Sequence, residues 1–185
     1  MKDEAIAAWC EENRIDYAWM PEGRRFADLR LVAMSELAPD EWARLDAFFE
    51  SEVFPVLTPL AVDPGHPFPY ISNLSLSLAV LVRDPVSGTS TFARVKVPKE
   101  MLPRFVPIGD GRTFVPLENL IAVHLDTLFP GMEIVDYDVF RVTRDADFTV
   151  SDEADDLLQA VEDELRRRRF GDIVRVEVGA GMSPV

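Results

Sequence analysis

The chain has 185 residues and a formal net charge of −14 from 33 acidic and 19 basic side chains, a balance that excludes nonspecific binding to nucleic-acid phosphates. Apolar residues are 48 % and charged residues 28 %, which excludes disorder throughout, and a single cysteine, Cys10, excludes an internal disulfide framework or a cysteine-based zinc site. The longest apolar run, residues 74–82, is broken by serines, and the N-terminus carries acids where a secretory signal needs apolar residues, so a reducing cytoplasm is the expected compartment.

Residues 1–64 hold 14 acids and 6 bases, residues 65–132 hold 5 and 6, and residues 133–185 hold 14 and 7. The ends are therefore acidic and the middle nearly neutral. A short helix is expected at 3–13, with Ile6, Trp9 and Cys10 inward. A stronger one is expected at 39–53. Pro39 suits its first position, Asp40 and Glu41 meet the positive end of its dipole, and Trp42, Leu45, Phe48, Phe49 and Val53 recur at helical spacing. Residues 54–70 contain five prolines, Pro55, Pro59, Pro64, Pro67 and Pro69, and read as a stiff irregular connector.

Beyond the connector, 74–82 and 91–97 read as an antiparallel hairpin, with Phe92, Arg94 and Lys96 opposite Ala93, Val95 and Val97. A second hairpin, 104–108 with 112–115, turns at Gly109, Asp110 and Gly111. A helix is expected from Pro116 to Phe129 and a strand at 133–143. The last helix starts near Ser151, carries Ala154, Leu157, Leu158, Val161 and Leu165 as its stripe, and ends at Gly171; a strand at 173–178 follows. Helices and strands are grouped, so the expected class is α+β: a short helical N-terminal part, then a head domain rich in antiparallel hairpins and incomplete at its C-terminus. The expected divisions are 1–54, a connector at 55–70, and 71–185.

Candidate chemistry is thin. His66 lies in the proline connector, and His124 falls off the Leu117–Leu128 stripe, where a solvated helix residue is expected; neither has metal-ligand spacing. Asp136 with Asp138, and Asp145 with Asp147, are i,i+2 pairs that could aim two carboxylates at Mg²⁺. No third ligand is evident, and a solvent face is the plainer account. Arg166, Arg167, Arg168 and Arg169 diverge around a helix, and Glu162, Asp163 and Glu164 stand four residues before the first three, so helix stabilisation explains them better than a phosphate grip. On these grounds no catalytic, cofactor-binding or metal residue is assigned.

Six blocks do carry a resemblance: FFESEVFPVLTPLAVDPGHPFPYISNLSLSLAVLVRDP, FARVKVP, PRFVPI, FVPLENLIAVHLDTLFPGM, FRVTRDADF and DEADDLLQAVEDELRRRRFGDIVRVEV. In this order and spacing, from Leu29 to Met182, they resemble the long bacterial polyphosphate kinases. Residues 1–28 do not share the resemblance, and position 124 is His where the family more often has Asn. The resemblance implies an enzyme that moves the γ-phosphate of ATP onto polyphosphate, reversibly, through a phosphohistidine. It implies that this stretch is the end of the N-terminal domain plus most of the head domain. The phosphoacceptor histidine and most of the ATP and Mg²⁺ contacts then lie in C-terminal catalytic domains outside it. The implied role is architectural, supporting a homodimer, with polyphosphate and ATP engaged through the catalytic domains of the same polypeptide. Nucleic acid and a membrane span are not expected; association with a membrane as part of a complex stays open. A free-standing interaction module of the same ancestry is the alternative. The isolated chain is expected to be inactive.

Overall fold

The computed structural model describes residues 30–62, 69–109, 111–145, 171–179 and 181–182. The expected helix at 3–13, and the expected last helix from Ser151 up to its stop at Gly171, lie outside the described residues. So do Cys10, His66, Asp147 and the four consecutive arginines. The chain divides into two compact units, Met1–Leu57 with Pro98–Leu128, and Thr58–Val97 with Phe129–Val185.

In the first unit, helix α1 spans Pro39–Phe48, with Pro39 in its first turn and the Glu41 carboxylate accepting the Ala38 N–H at 2.9 Å. The Trp42 indole donates to the Met34 carbonyl at 2.9 Å, fastening the 3₁₀ turn Met34–Glu36 to the helix. The expected continuous helix to residue 53 is not what forms. Phe49–Val53 winds as a π-helical turn and Phe54–Val56 as a 3₁₀ turn. Pro55 has no N–H to donate, and its ring would collide with the Ser51 carbonyl in a continued α-helix. The widened turn places both Phe49 and Val53 fully inside.

Three strands complete this unit's sheet. Strand β1, Arg30–Leu31, lies parallel to the later strand Thr113–Pro116, which pairs antiparallel with Phe105–Ile108. The turn between the last two uses Gly109 and Gly111 at φ of 59° and 71°, a region that side-chain-bearing residues avoid. The expected helix 116–129 is two short ones, α2 at Leu117–Ala122 and α3 at Leu125–Leu128, and Pro116 ends the strand instead of opening the helix. The break falls at Val123 and His124, where the His124 N–H donates to the Ile121 carbonyl at 3.1 Å, a tighter 3₁₀-type closure.

The second unit is a five-stranded antiparallel sheet. With β2 at Pro59–Val62, β3 at Leu76–Arg83, β4 at Ser90–Lys96, β7 at Glu133–Arg144 and β8 at Ile173–Val178, the spatial order is β2-β4-β3-β7-β8; β5 and β6 are the hairpin strands above. Part of the proline connector is thus a strand: Pro59 opens β2 at the edge of the sheet, where its missing N–H removes nothing needed. On one face Leu78, Val80, Ala93 and Val95 are fully buried. On the other, Ala79, Phe140, Val142 and Ile71 cluster with Phe92 and Met182. Strands in mostly antiparallel sheets with few helices make the class α+β, as the grouping of elements implied. Among the described residues no helix is long and apolar enough to cross a membrane.

Candidate functional site

The most concentrated chemistry of the first unit surrounds His124. The residue sits at the break between α2 and α3, and the break turns its ring inward: His124 is 8 % exposed, not solvated as its angular position implied. Nδ1 lies 2.8 Å from the Leu120 carbonyl oxygen, and Nε2 lies 2.8 Å from Oδ1 of Asp46 on α1. The Phe49 ring stacks on the imidazole, with centroids 3.9 Å apart and planes 12° from parallel, and Trp42 tilts against it at 6.4 Å. Both ring nitrogens are engaged, so neither presents a lone pair to a substrate. Nearby, Arg104 pairs with the buried Glu118 at 3.0 Å.

In the second unit, two arginines hold the segment that enters β3. Arg94 on β4 is 4 % exposed; its Nε donates to the Ser77 hydroxyl at 3.0 Å and a terminal nitrogen donates to the Tyr70 carbonyl at 3.1 Å. Burial of the guanidinium pushes its pKa below the usual arginine value. Arg144 on β7 donates to the Ile71 carbonyl at 2.8 Å and to the Gly171 carbonyl at 2.7 Å, and its guanidinium lies 4.6 Å from the Tyr70 ring centroid. On the strand pair β7–β8, Arg141 grips Glu177 bidentately at 2.6 and 3.0 Å, and Arg175 adds a contact at 2.7 Å. The Arg141 hydrogen bonds, aided by the positive charge of both arginines, hold the Glu177 carboxyl below its ordinary range.

Asp136, which is exposed, and Asp138, which is half-buried, share a face of β7, by strand parity the face that carries Phe140 and Val142 further along. Each carboxylate accepts the next residue's N–H, at 2.9 Å for Asp136 and 2.8 Å for Asp138. Asp145 is described without its expected mate. Among the described residues no cluster of three or more His, Cys, Asp or Glu side chains could hold a metal ion, and Asp136 with Asp138 alone supplies too few ligands for magnesium.

Three residues escaped sequence reading. Asp46 lies 78 positions from His124, and nothing local marks the pairing. Arg94 read as one of the outward members of an alternating strand. The serines of 75–77 were the available signal, because a buried Ser77 hydroxyl needs a partner. Arg144 carried no signal, since its partners are backbone carbonyls.

Residues 40–185 match the family described as the polyphosphate kinase middle domain. The chain is 58 % identical over 151 residues to a polyphosphate kinase of Streptomyces coelicolor, covering 81 % of this chain and 20 % of that protein. It is 56 % identical over 164 residues to a polyphosphate kinase of Thermosynechococcus vestitus, covering 84 % and 22 %. The crystal structure of polyphosphate kinase from Porphyromonas gingivalis superposes with a TM-score of 0.59 at 28 % identity, covering 85 % of this chain and 27 % of that one. The α+β fold, with its strands in mostly antiparallel sheets, is thus that of a polyphosphate kinase's middle domain. The chain belongs to the polyphosphate kinase family. It spans about a fifth of the length of the curated relatives it matches.

Proposed function

We propose that this stretch is the architectural middle part of an enzyme that transfers the γ-phosphoryl group of ATP to the end of a polyphosphate chain, releasing ADP. Its own work is to hold the head of the enzyme in shape and to support a homodimer in the cytoplasm. ATP, Mg²⁺ and the phosphoacceptor histidine are handled by other domains of the same polypeptide. The observation that carries this reading is identity above 50 % to named polyphosphate kinases across a match to their middle domain. The chemistry of the described residues supports it: the one described histidine has both ring nitrogens occupied, and the buried Arg94 and half-buried Arg144 serve backbone carbonyls and a hydroxyl.

A domain exchange tests it. The matching 151-residue stretch of the Streptomyces coelicolor enzyme is replaced by this sequence. Polyphosphate synthesis from ATP should persist in the purified chimera, with the same oligomeric state as the parent by light scattering. A folded chimera without synthesis, or one that synthesises polyphosphate as a monomer, would overturn the reading.

A further inference from the structure

We propose that β8 is a pairing edge for a second copy of this chain: two β8 strands run antiparallel about a twofold axis at Val176 and join their sheets into one. Among the described residues β8 is the outermost strand on its side of the sheet, and Val174, Val176 and Val178 are each more than half exposed. The ladder with β7 fixes which backbone groups point outward. The Gly179 N–H donates to the Val139 carbonyl at 3.2 Å, and the register runs on through Phe140 with Val178, Arg141 with Glu177, Val142 with Val176 and Thr143 with Arg175. Hydrogen-bonded pairs alternate in an antiparallel ladder, so Arg175 and Glu177 bond to β7, while the N–H and C=O of Val176 and Val178 face away from it.

The side chains then select one register. Outward residues of one strand pair with outward residues of the other, so the pairing shifts only in steps of two residues. Centred on Arg175 it would set two arginines against each other, and centred on Glu177 two glutamates; like charges directly opposite are destabilising. Centred on Val176, Arg175 of each copy stands opposite Glu177 of the other, in a non-hydrogen-bonded pair where side chains approach most closely. Val176 meets its own counterpart and Val174 comes opposite Val178, so the exposed valines merge into one apolar band. Charge alternates across the join, from Arg141, bidentate on Glu177 at 2.6 and 3.0 Å, through Glu177 to Arg175 of the second copy. Arg175 is exposed and contacts Glu177 of its own strand at 2.7 Å, so pairing exchanges one carboxylate partner for an equivalent one. Charges on an edge strand ordinarily discourage pairing. An acid and a base placed evenly about Val176 discourage the neighbouring registers and favour this one.

This contact rests on the homodimer reading above and names its surface, so its test is separate from the chimera. Amide exchange on the 185-residue chain reads the edge directly. Protection at Val176 and Val178 should rise with protein concentration, in step with the dimer fraction from analytical ultracentrifugation, while Arg175 and Glu177, bonded to β7, stay protected throughout. Charge reversal reads the register. R175E and E177K each set like charges opposite one another and should raise the dissociation constant about tenfold. An equimolar mixture of the two should regain the dimer, because both cross-strand pairs are again opposite in sign. R175E keeps the Arg141–Glu177 pair and should melt as the parent does by circular dichroism; if E177K fails to fold, R175E and amide exchange decide alone. Four results would each overturn the proposal: protection at Val176 and Val178 that ignores concentration, a monomer at every concentration, a dimer that R175E leaves unchanged, or a mixture of folded variants no more dimeric than its parts. The chimera's oligomeric state still judges the homodimer reading by itself.

Discussion

Replacing Phe49 probes the packing on which the His124 junction rests. The side chain is fully buried, stacks on His124 at 3.9 Å and meets Phe54 at 6.1 Å. Phe49→Ala removes its transfer energy and leaves a cavity that the surrounding turn fills incompletely, costing about 3–5 kcal/mol. Set against a total stability on the order of 5–15 kcal/mol, this is a large fraction. With a urea dependence of about 2 kcal/mol per molar, the unfolding midpoint should fall by about 2 M. Phe49→Leu keeps most of the volume and loses the stacking, so it should cost less, about 1–1.5 kcal/mol. Combining it with His124→Asn in a double-mutant cycle should return a coupling of about 1 kcal/mol, because the two side chains touch and each single change already removes the stack. Urea unfolding followed by circular dichroism measures the parent and all four variants. A cost below about 1 kcal/mol for Phe49→Ala, or additive effects in the cycle, would show that Phe49 and His124 do not pack as a unit.

Arg144→Ala deletes two hydrogen bonds from a charged donor, to the Ile71 and Gly171 carbonyls, and should cost on the order of 3 kcal/mol in the same urea assay, with Arg144→Lys intermediate because an ammonium cannot span both. Acid should weaken the fold through Glu177: its folded carboxyl binds a proton less readily than in the unfolded chain, so its contribution is present above the ordinary glutamate range and is lost as pH falls through the lowered folded value. The Val86 amide and Ser87 hydroxyl lower Asp84 in the same direction, so Glu177→Gln with Asp84→Asn should flatten the acid limb of a melting-temperature profile. Gly171→Ala would drive a Cβ into the Asp145 backbone carbonyl, and thermal unfolding should show a loss of about 1–3 kcal/mol. Val174, Val176 and Val178 are 63 %, 56 % and 51 % exposed, so the 185-residue chain should self-associate with concentration in light scattering, and Val174→Lys with Val176→Lys should reduce this.

The strands were readable because their signal is local. Alternation in 74–82 and 91–97 located β3 and β4, and Gly109 with Gly111 marked the turn of the second hairpin. Helix ends were less readable. Residues 39–53 have good helical spacing throughout, but Pro55, just beyond, alters the last turn, and the effect runs backwards along the chain where a periodicity count does not look. The 116–129 helix failed for a tertiary reason: a histidine at its midpoint finds a carboxylate on α1, and the break at Val123 brings the ring to it. Arg94 shows the same limit on a strand. An arginine among outward positions looks solvated until the Tyr70 carbonyl arrives from 24 residues away. The family resemblance was legible because it rests on ordered blocks along most of the chain, which survive local misreadings of this kind.

That this stretch supports catalysis without performing it is tested most directly by incubating the 185-residue chain with γ-labelled ATP and Mg²⁺ and resolving the protein under alkaline conditions that preserve phosphohistidine. A folded, unlabelled chain is expected, because His124 has both ring nitrogens committed to Asp46 and Leu120. Acid-labile label that maps to His124 and disappears in His124→Asn would contradict it.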